Sequence, residues 1–258
     1  MTKNEMKLII EILKESALKS GIVLKSYFRK SLEIKFKGKN NLVTEADKIS
    51  EEKLVNFISK NFPDFGIIAE EGHSINNNSP YQFLIDPLDG TTNFAHKYPF
   101  YSVSIGLLKK GIPILGIVYA PHFEEMFYAG KGLGAYLNGK QISVSKTKSV
   151  KDSLLVTGFA YQLEKYDNLE YFKKIIKKAR GVRRDGSAAL DFSYVACGRF
   201  DGFWELGLHP WDQAAGAIIL NEAGGKITKF SENKWSPYDT ELIASNSKIH
   251  DELMNILK

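Results

Sequence analysis

In 258 residues the sequence holds a single cysteine, Cys197. One thiol excludes an internal disulfide framework and any cysteine-rich zinc site. The five histidines (His73, His96, His122, His209 and His250) stand singly, with no metal-ligand spacing between them. No apolar run approaches the roughly 20 residues that span a bilayer. The opening stretch MTKNEMKLIIEILKES carries acids and lacks a signal-like cleavage site, which predicts a cytoplasmic protein. Two phosphate chemistries lack their residues as well. There is no G-x-x-x-x-G-K-[ST] of a P-loop and no D-x-D of the aspartyl-phosphate phosphatases. Internal repeats and low-complexity linkers are absent too.

What is present describes a soluble globular chain, with 43% hydrophobic and 25% charged residues. The length suffices for a sizeable core. Thirty-five basic against 30 acidic residues leave a net charge of +5. Most of the basic residues are lysines, and the densest cluster, KKIIKKARGVRR, runs from Lys173 to Arg184. Such a run serves either as a solvated helix face or as a surface for nucleic acid or an acidic partner.

Apolar positions Met6, Ile9, Ile10, Leu13, Ala17, Ile22 and Leu24 predict a long amphipathic helix over residues 4–28. LEIKFKGKNN reads as a short hairpin or loop. A second helix is predicted from Thr44, a good N-cap, with Asp47 three residues on in the capping-box position. GIIAEEG is a buried strand ending on Glu70 and Glu71, HSINNNSP a surface loop, and YQFLIDP the next strand. The runs from Tyr101 to Ile142, broken by Pro121 and an Asn138-Gly139 turn, read as consecutive antiparallel hairpins. Beyond Lys151 the expected order is strand, helix, strand, helix, strand, helix, two strands and a final helix. Grouped rather than alternating elements predict a layered α+β fold. We expect one domain over residues 1–258, with a soft division near 145–150.

Asp47, Glu70, Asp86, Asp89 and Asp212 all fall at predicted strand ends or helix starts. Each has a structural use of its own. Asp47 can cap a helix, Asp212 can complement a helix dipole, and Asp86-Pro87 and Asp89-Gly90 are ordinary turn dipeptides. Taken together they suggest another. Magnesium prefers a few carboxylates, waters and substrate phosphate. Pro87 fixes the backbone between two aspartates, and Gly90-Thr91 could open a helix whose free N–H groups attract an anion. Carboxylates for metal beside donors for phosphate suit metal-assisted phosphoryl hydrolysis.

IDPLDGTTNF, residues 85–94, resembles the first signature of the inositol monophosphatase family, D-P-[IL]-D-G-T-x-N-[FY]. HPWDQAAGAIILNEAGG resembles the second, W-D-x-[AG]-[AG], while LVTEAD, AEEG and GSAALDFSYVACGRFDGFWE match lesser motifs in the family's order. The resemblance implies the αβαβα sandwich of the sugar phosphatases. It also implies a lithium-sensitive, homodimeric enzyme that hydrolyses a phosphate monoester with two or three Mg2+ ions and no phosphoenzyme. Carried over, Glu70, Asp86 and the Leu88 carbonyl would hold one ion. Asp86, Asp89 and Asp212 would hold a second, and a third would lean on Glu70 through water. Thr91, paired with Asp47, would orient and help deprotonate the attacking water. Gly90 and Thr91 would steady the phosphate, while Asp89, Gly186, Ser187, Ala188 and Glu205 would meet the alcohol. Glu71 is expected to support its neighbours, Lys37 to belong to a closing hairpin, and Arg183 and Arg184 to meet a second phosphate, a partner subunit or only solvent.

myo-Inositol monophosphate is the first expected substrate. Fructose 1,6-bisphosphate and adenosine 3′,5′-bisphosphate are the rivals within the fold. A reading of another class is a regulatory protein that binds RNA or a transcription partner through the Lys173–Arg184 surface.

Overall fold

The computed structural model describes residues 1–30, 34–36, 42–231 and 234–258. The elements run α1 (Lys3–Tyr27), β1 (Ile34–Phe36), β2 (Leu42–Thr44), α2 (Glu45–Asn61), β3 (Gly66–Ala69), β4 (Ser74–Ile75), β5 (Tyr81–Asp89) and α3 (Thr91–Ala95). There follow β6 (Ser102–Lys109), β7 (Ile112–Ala120), β8 (Glu125–Gly130), β9 (Gly134–Leu137) and β10 (Lys140–Gln141). The rest is β11 (Leu154–Thr157), α4 (Leu169–Ile176), β12 (Gly181–Arg183), α5 (Ala188–Ala196), β13 (Gly202–Leu206), α6 (Pro210–Glu222), β14 (Lys226–Thr228), β15 (Glu241–Ser245) and α7 (His250–Leu257). The expected hairpin at residues 32–41 is represented by the antiparallel pair β1–β2. Its tip, with Lys37, lies outside the described residues.

An eight-stranded sheet has the order β10-β9-β8-β7-β6-β5-β3-β4. The consecutive hairpins from β5 to β10 account for six of its strands, and β3 joins β5 in parallel. A five-stranded sheet follows, in the order β12-β11-β13-β15-β14, parallel in its first three strands. Helices α1 and α2 cover the outer face of the first sheet, α5 and α6 lie between the sheets, and α4 and α7 cover the far face of the second. The layers are therefore αβαβα, an α+β fold. Among the described residues no helix is long and apolar enough to cross a membrane.

Helix α1 starts on a capping box, with Glu5 N–H donating to Thr2 Oγ1 at 3.2 Å and Thr2 N–H to Glu5 Oε2 at 2.6 Å. Its buried stripe includes Met6, Ile9, Ile10, Leu13, Ala17 and Leu24, as the spacing predicts. Ile22 is the exception. Five residues beyond Ala17 it leaves the stripe and is 68% exposed, while Val23 takes the inward position. Strand β5 also differs from expectation. It continues through Pro87 to Asp89, with an irregularity in its pairing to β6 between Asp86 and Asp89.

Helix α6 is central to the site. Its segment Gln213–Leu220 is buried throughout, so it needs neighbours on every side. Gly106 and Gly116, paired across β6 and β7, provide the closest approach. A Cβ on Gly106 would stand 2.7 Å from Ala214 Cβ, and one on Gly116 would stand 2.5 Å from the Ala215 carbonyl oxygen. Ser104 Oγ also donates to the Trp211 carbonyl at 3.1 Å. Together these contacts carry the first turn of α6, with Asp212, to the end of β5.

Candidate active site

A cavity of about 540 Å³ opens where the C-terminal end of β5 meets the first turns of α3, α5 and α6. Glu70, Asp86, Leu88, Asp89, Gly90, Thr91, Gly186, Ser187, Ala188, Glu205 and Asp212 all line it. Asp47 stands directly behind Thr91. The structure thus brings together Asp47, the five metal candidates, and the phosphate and alcohol contacts that the sequence nominated, whereas Glu71 and Arg183 do not line the cavity.

The turn is fixed from both sides. Asp86 Oδ1 accepts the Leu88 N–H at 2.9 Å, and Ser50 Oγ on α2 donates to the Pro87 carbonyl at 3.0 Å. Gly90 adopts φ 97°, a left-handed conformation that glycine enters without strain, and ends the strand so that α3 can begin. A side chain there would also crowd the Phe100 and Gly186 carbonyls at 3.0 and 3.2 Å. Asn93, a motif residue given no role in the sequence reading, donates through Nδ2 to the carbonyls of Phe100 and Asp185, each at 2.7 Å. It ties α3 to the loop that presents Gly186 and Ser187.

Asp47 serves two partners. Its Oδ2 accepts the Thr44 N–H at 2.8 Å, the capping contact, and its Oδ1 accepts the Thr91 hydroxyl at 3.0 Å. The Leu88 carbonyl lies 3.1 Å from the same hydroxyl. One hydroxyl proton can serve only one acceptor at a time. Burial raises the Asp47 carboxyl to about 6, against the opposing pull of its hydrogen bonds from Thr44 and Thr91.

Asp86, Asp89 and Asp212 are costly to ionise. Asp89 Oδ2 accepts from Ser187 Oγ at 2.6 Å and Ala189 N–H at 2.8 Å, yet burial still lifts the group to about 6. Asp86 and Asp212 are pushed well above the usual range, first by burial and then by the charges of Glu70 and Asp89. Asp212 Oδ2 accepts the His209 N–H at 2.7 Å, closing a capping box at the start of α6. Among the described residues, no lysine or arginine pairs with Asp86, Asp89 or Asp212. Their hydrogen bonds occupy one oxygen of each, and all three residues line the cavity. A set of hard oxygens whose charges oppose one another fits a divalent cation, which removes the repulsion. Among the described residues no three His, Cys, Asp or Glu side chains yet enclose a single point. The carboxylates line the cavity wall rather than converging.

Two supports were not visible in the sequence. Glu51 on α2, fully buried, accepts the Glu71 N–H at 2.6 Å, the His73 N–H at 3.2 Å and faces His73 Nδ1 at 2.7 Å. It holds the turn that carries Glu70. On the opposite wall, Tyr161 meets Thr92 Oγ1 through its hydroxyl at 2.9 Å, and Lys165, Tyr166 and Arg184 face the same space. Glu205 ends that wall, raised to about 8 by burial and the nearby Asp89 charge, with Arg184 opposing. His209 stacks on Trp211 at 5.0 Å and shapes its turn. Cys197 packs at the end of α5, its thiol pushed up by burial.

The sequence model of the inositol monophosphatase family matches residues 5–258. A Synechocystis protein named inositol-1-monophosphatase is 45% identical over 252 residues, covering 96% of this chain and 88% of its own. A protein of Aquifex aeolicus named fructose-1,6-bisphosphatase/inositol-1-monophosphatase is 40% identical, covering 98% and 96%. The solved structure of an inositol monophosphatase from Anabaena (Nostoc) superposes with a TM-score of 0.90 at 43% identity, covering 98% of this chain and 96% of that one.

Proposed function

The chain belongs to the inositol monophosphatase family, and on that premise we propose that it is a magnesium-dependent phosphatase whose first substrate is myo-inositol monophosphate. One observation carries the reading: Asp86, Asp89 and Asp212 share a cavity with the Thr91–Asp47 pair and have no basic partner among the described residues. Glu70, Asp86 and the Leu88 carbonyl would hold one ion, and Asp86, Asp89 and Asp212 a second. When bound, magnesium supplies a water of lowered pKa and neutralises charge on the phosphate.

The chain's own residues do the rest. With its proton directed to Asp47, the Thr91 hydroxyl turns a lone pair to the cavity and accepts a hydrogen from the attacking water. Asp47, with a pKa of about 6, is mostly ionised at neutral pH and can take that proton through Thr91. Gly90 and Thr91, at the start of α3, have no preceding helical carbonyl for their N–H groups and offer them to the phosphate. Ser187 and Ala189 hold Asp89 in place. Glu205, raised to about 8, keeps a proton near neutrality and can donate to or accept from a hydroxyl of the alcohol.

Arg184 and Lys165 on the cavity wall favour a second reading, a bisphosphate whose other phosphate they would meet. Comparing kcat/KM for myo-inositol 1-phosphate, fructose 1,6-bisphosphate and adenosine 3′,5′-bisphosphate decides between them. A higher value for either bisphosphate removes inositol phosphate as first choice. The regulatory reading rests on a different face, where Lys173 and Lys174 on α4, and Lys177 and Lys178 just beyond it, line a groove with the end of α7. RNA binding at low salt that vanishes when these lysines are neutralised would support it.

A further inference from the structure

The wall opposite the carboxylates is built by residues 158–167, between β11 and α4, and a single side chain clips both ends of this segment. Asn168 stands at the start of α4 but makes no capping hydrogen bond there. It turns inward and is 1% exposed. Its Nδ2 donates to the Gly158 carbonyl at 2.6 Å and to Thr157 Oγ1 at 2.8 Å. Its Oδ1 accepts the Trp204 indole N–H at 2.7 Å, and Thr157 Oγ1 donates onward to the Trp204 carbonyl at 2.6 Å. The network is buried and closed, so it fixes the ends of β11 and β13 against each other.

Glu205 follows Trp204. Neighbours on a strand face opposite ways, so Trp204 points to the outer layer with α4 and α7, and Glu205 points to the cavity. There it lies against Gly158. A Cβ on Gly158 would stand 2.0 Å from Glu205 Oε1 and 2.3 Å from Oε2, so the carboxyl occupies the space a side chain would need. Three observations thus meet at one point: the missing side chain, the clipped loop and the buried acid.

We propose that Asn168 and Gly158 are positioning residues that set the Glu205 carboxyl and the adjoining wall for the alcohol half of the substrate. The inference rests on the phosphatase reading above and deepens it. Alcohol selectivity then depends on Gly158 and Asn168 through where they place the Glu205 carboxyl.

The test compares myo-inositol 1-phosphate with phenyl phosphate, whose alcohol offers no further hydroxyl. In Gly158→Ala and in Asn168→Ala the ratio of kcat/KM between the two substrates should fall about tenfold, mainly through KM for the inositol ester. In a Glu205→Gln background, adding Gly158→Ala should change that ratio less than about twofold, because both act through one carboxyl. An unchanged ratio, or an equal loss on both substrates, would overturn the proposal. Gly158→Ala removes no hydrogen bond, so it keeps the test available if Asn168→Ala does not fold. A crystal structure of Gly158→Ala supplies a readout independent of activity: the Glu205 carboxyl must be displaced, and an unmoved carboxyl refutes the clamp. Should the wild type hydrolyse neither ester, the phosphatase reading fails, and the crystal structure alone decides the positioning claim.

Discussion

Thr91 and Asp212 perform different tasks with short side chains. Thr91 carries no charge of its own, and its hydroxyl is shared between Asp47 and the Leu88 carbonyl. Thr91→Ala removes the group that orients water and leaves every carboxylate in place. Turnover should therefore fall by about 10²-fold or more while KM moves little, which steady-state kinetics will show. A change confined to KM would contradict the water-orienting role. Asp212→Asn keeps the shape and loses a charge. Activity should fall by about 10³-fold, with the fold preserved by circular dichroism. In a chelator the variant should melt no lower than the wild type, because the substitution relieves repulsion from Glu70 and Asp89. At this scale the sequence was informative. The metal candidates sit in three short motifs, AEEG, IDPLDGTTNF and HPWDQAAGAIILNEAGG, and the local turn chemistry of Asp-Pro and Asp-Gly is readable without a fold. Glu51, Asn168 and Asn93 were not legible. Each draws its meaning from a partner that only the folded chain brings near, and Glu51 in a helix looks like any solvated acid.

Elements position these residues through a few buried polar contacts. Glu51 pins the turn after β3 to α2 by accepting two N–H groups and facing the His73 ring. Glu51→Ala should destabilise the protein by about 2–3 kcal/mol, since two donors lose their charged acceptor. It should also raise the magnesium needed for half-maximal activity about tenfold, because Glu70 loses its support. Denaturant melts and a magnesium titration measure the two effects. At the other end of the fold, His250 joins α7 to the second sheet, with Nε2 2.9 Å from Thr228 Oγ1 and Nδ1 2.9 Å from Ser245 Oγ. Burial, with Lys226 adding to it and Asp251 opposing, depresses the imidazole to about 4. A histidine whose folded pKa lies below its unfolded value binds more protons when unfolded. Its contribution is complete above about 6.5 and is lost as the pH falls toward 4. His250→Gln should flatten the stability profile across that window by on the order of 2 kcal/mol. An unchanged slope in urea melts between pH 6.5 and 4 would remove this account. Hydrophobic period and capping residues made the larger elements readable. The two-residue β4 escaped because its pairing with β3 depends on a partner rather than on its own composition.

The site joins regions far apart in the chain. Asp47, Glu70, Asp86 and Asp89 come from the α2–β5 region and the first sheet, whereas Asp212 and Glu205 come from α6 and the second sheet. Helix α6 belongs to the later half of the chain yet packs on β6 and β7 of the earlier one, with the Gly106–Gly116 pair allowing the close approach. Opposed carboxylates at this junction raise one another's pKa, so the proposed divalent cation should stabilise the junction as a whole. Linkage gives the size: at 100 times its dissociation constant, a ligand specific to the folded state contributes about 2.7 kcal/mol. For a chain of this length that corresponds to a rise in Tm of about 5–10 °C. Calorimetry should show a single transition moving upward with magnesium and returning with EDTA, and hydrolysis should disappear over the same chelator range. Asp86→Asn removes the carboxylate assigned to both ions, so the magnesium-dependent rise should be lost in that variant. Two transitions, only one of them sensitive to magnesium, would mean that the halves melt separately and that the ion does not link them.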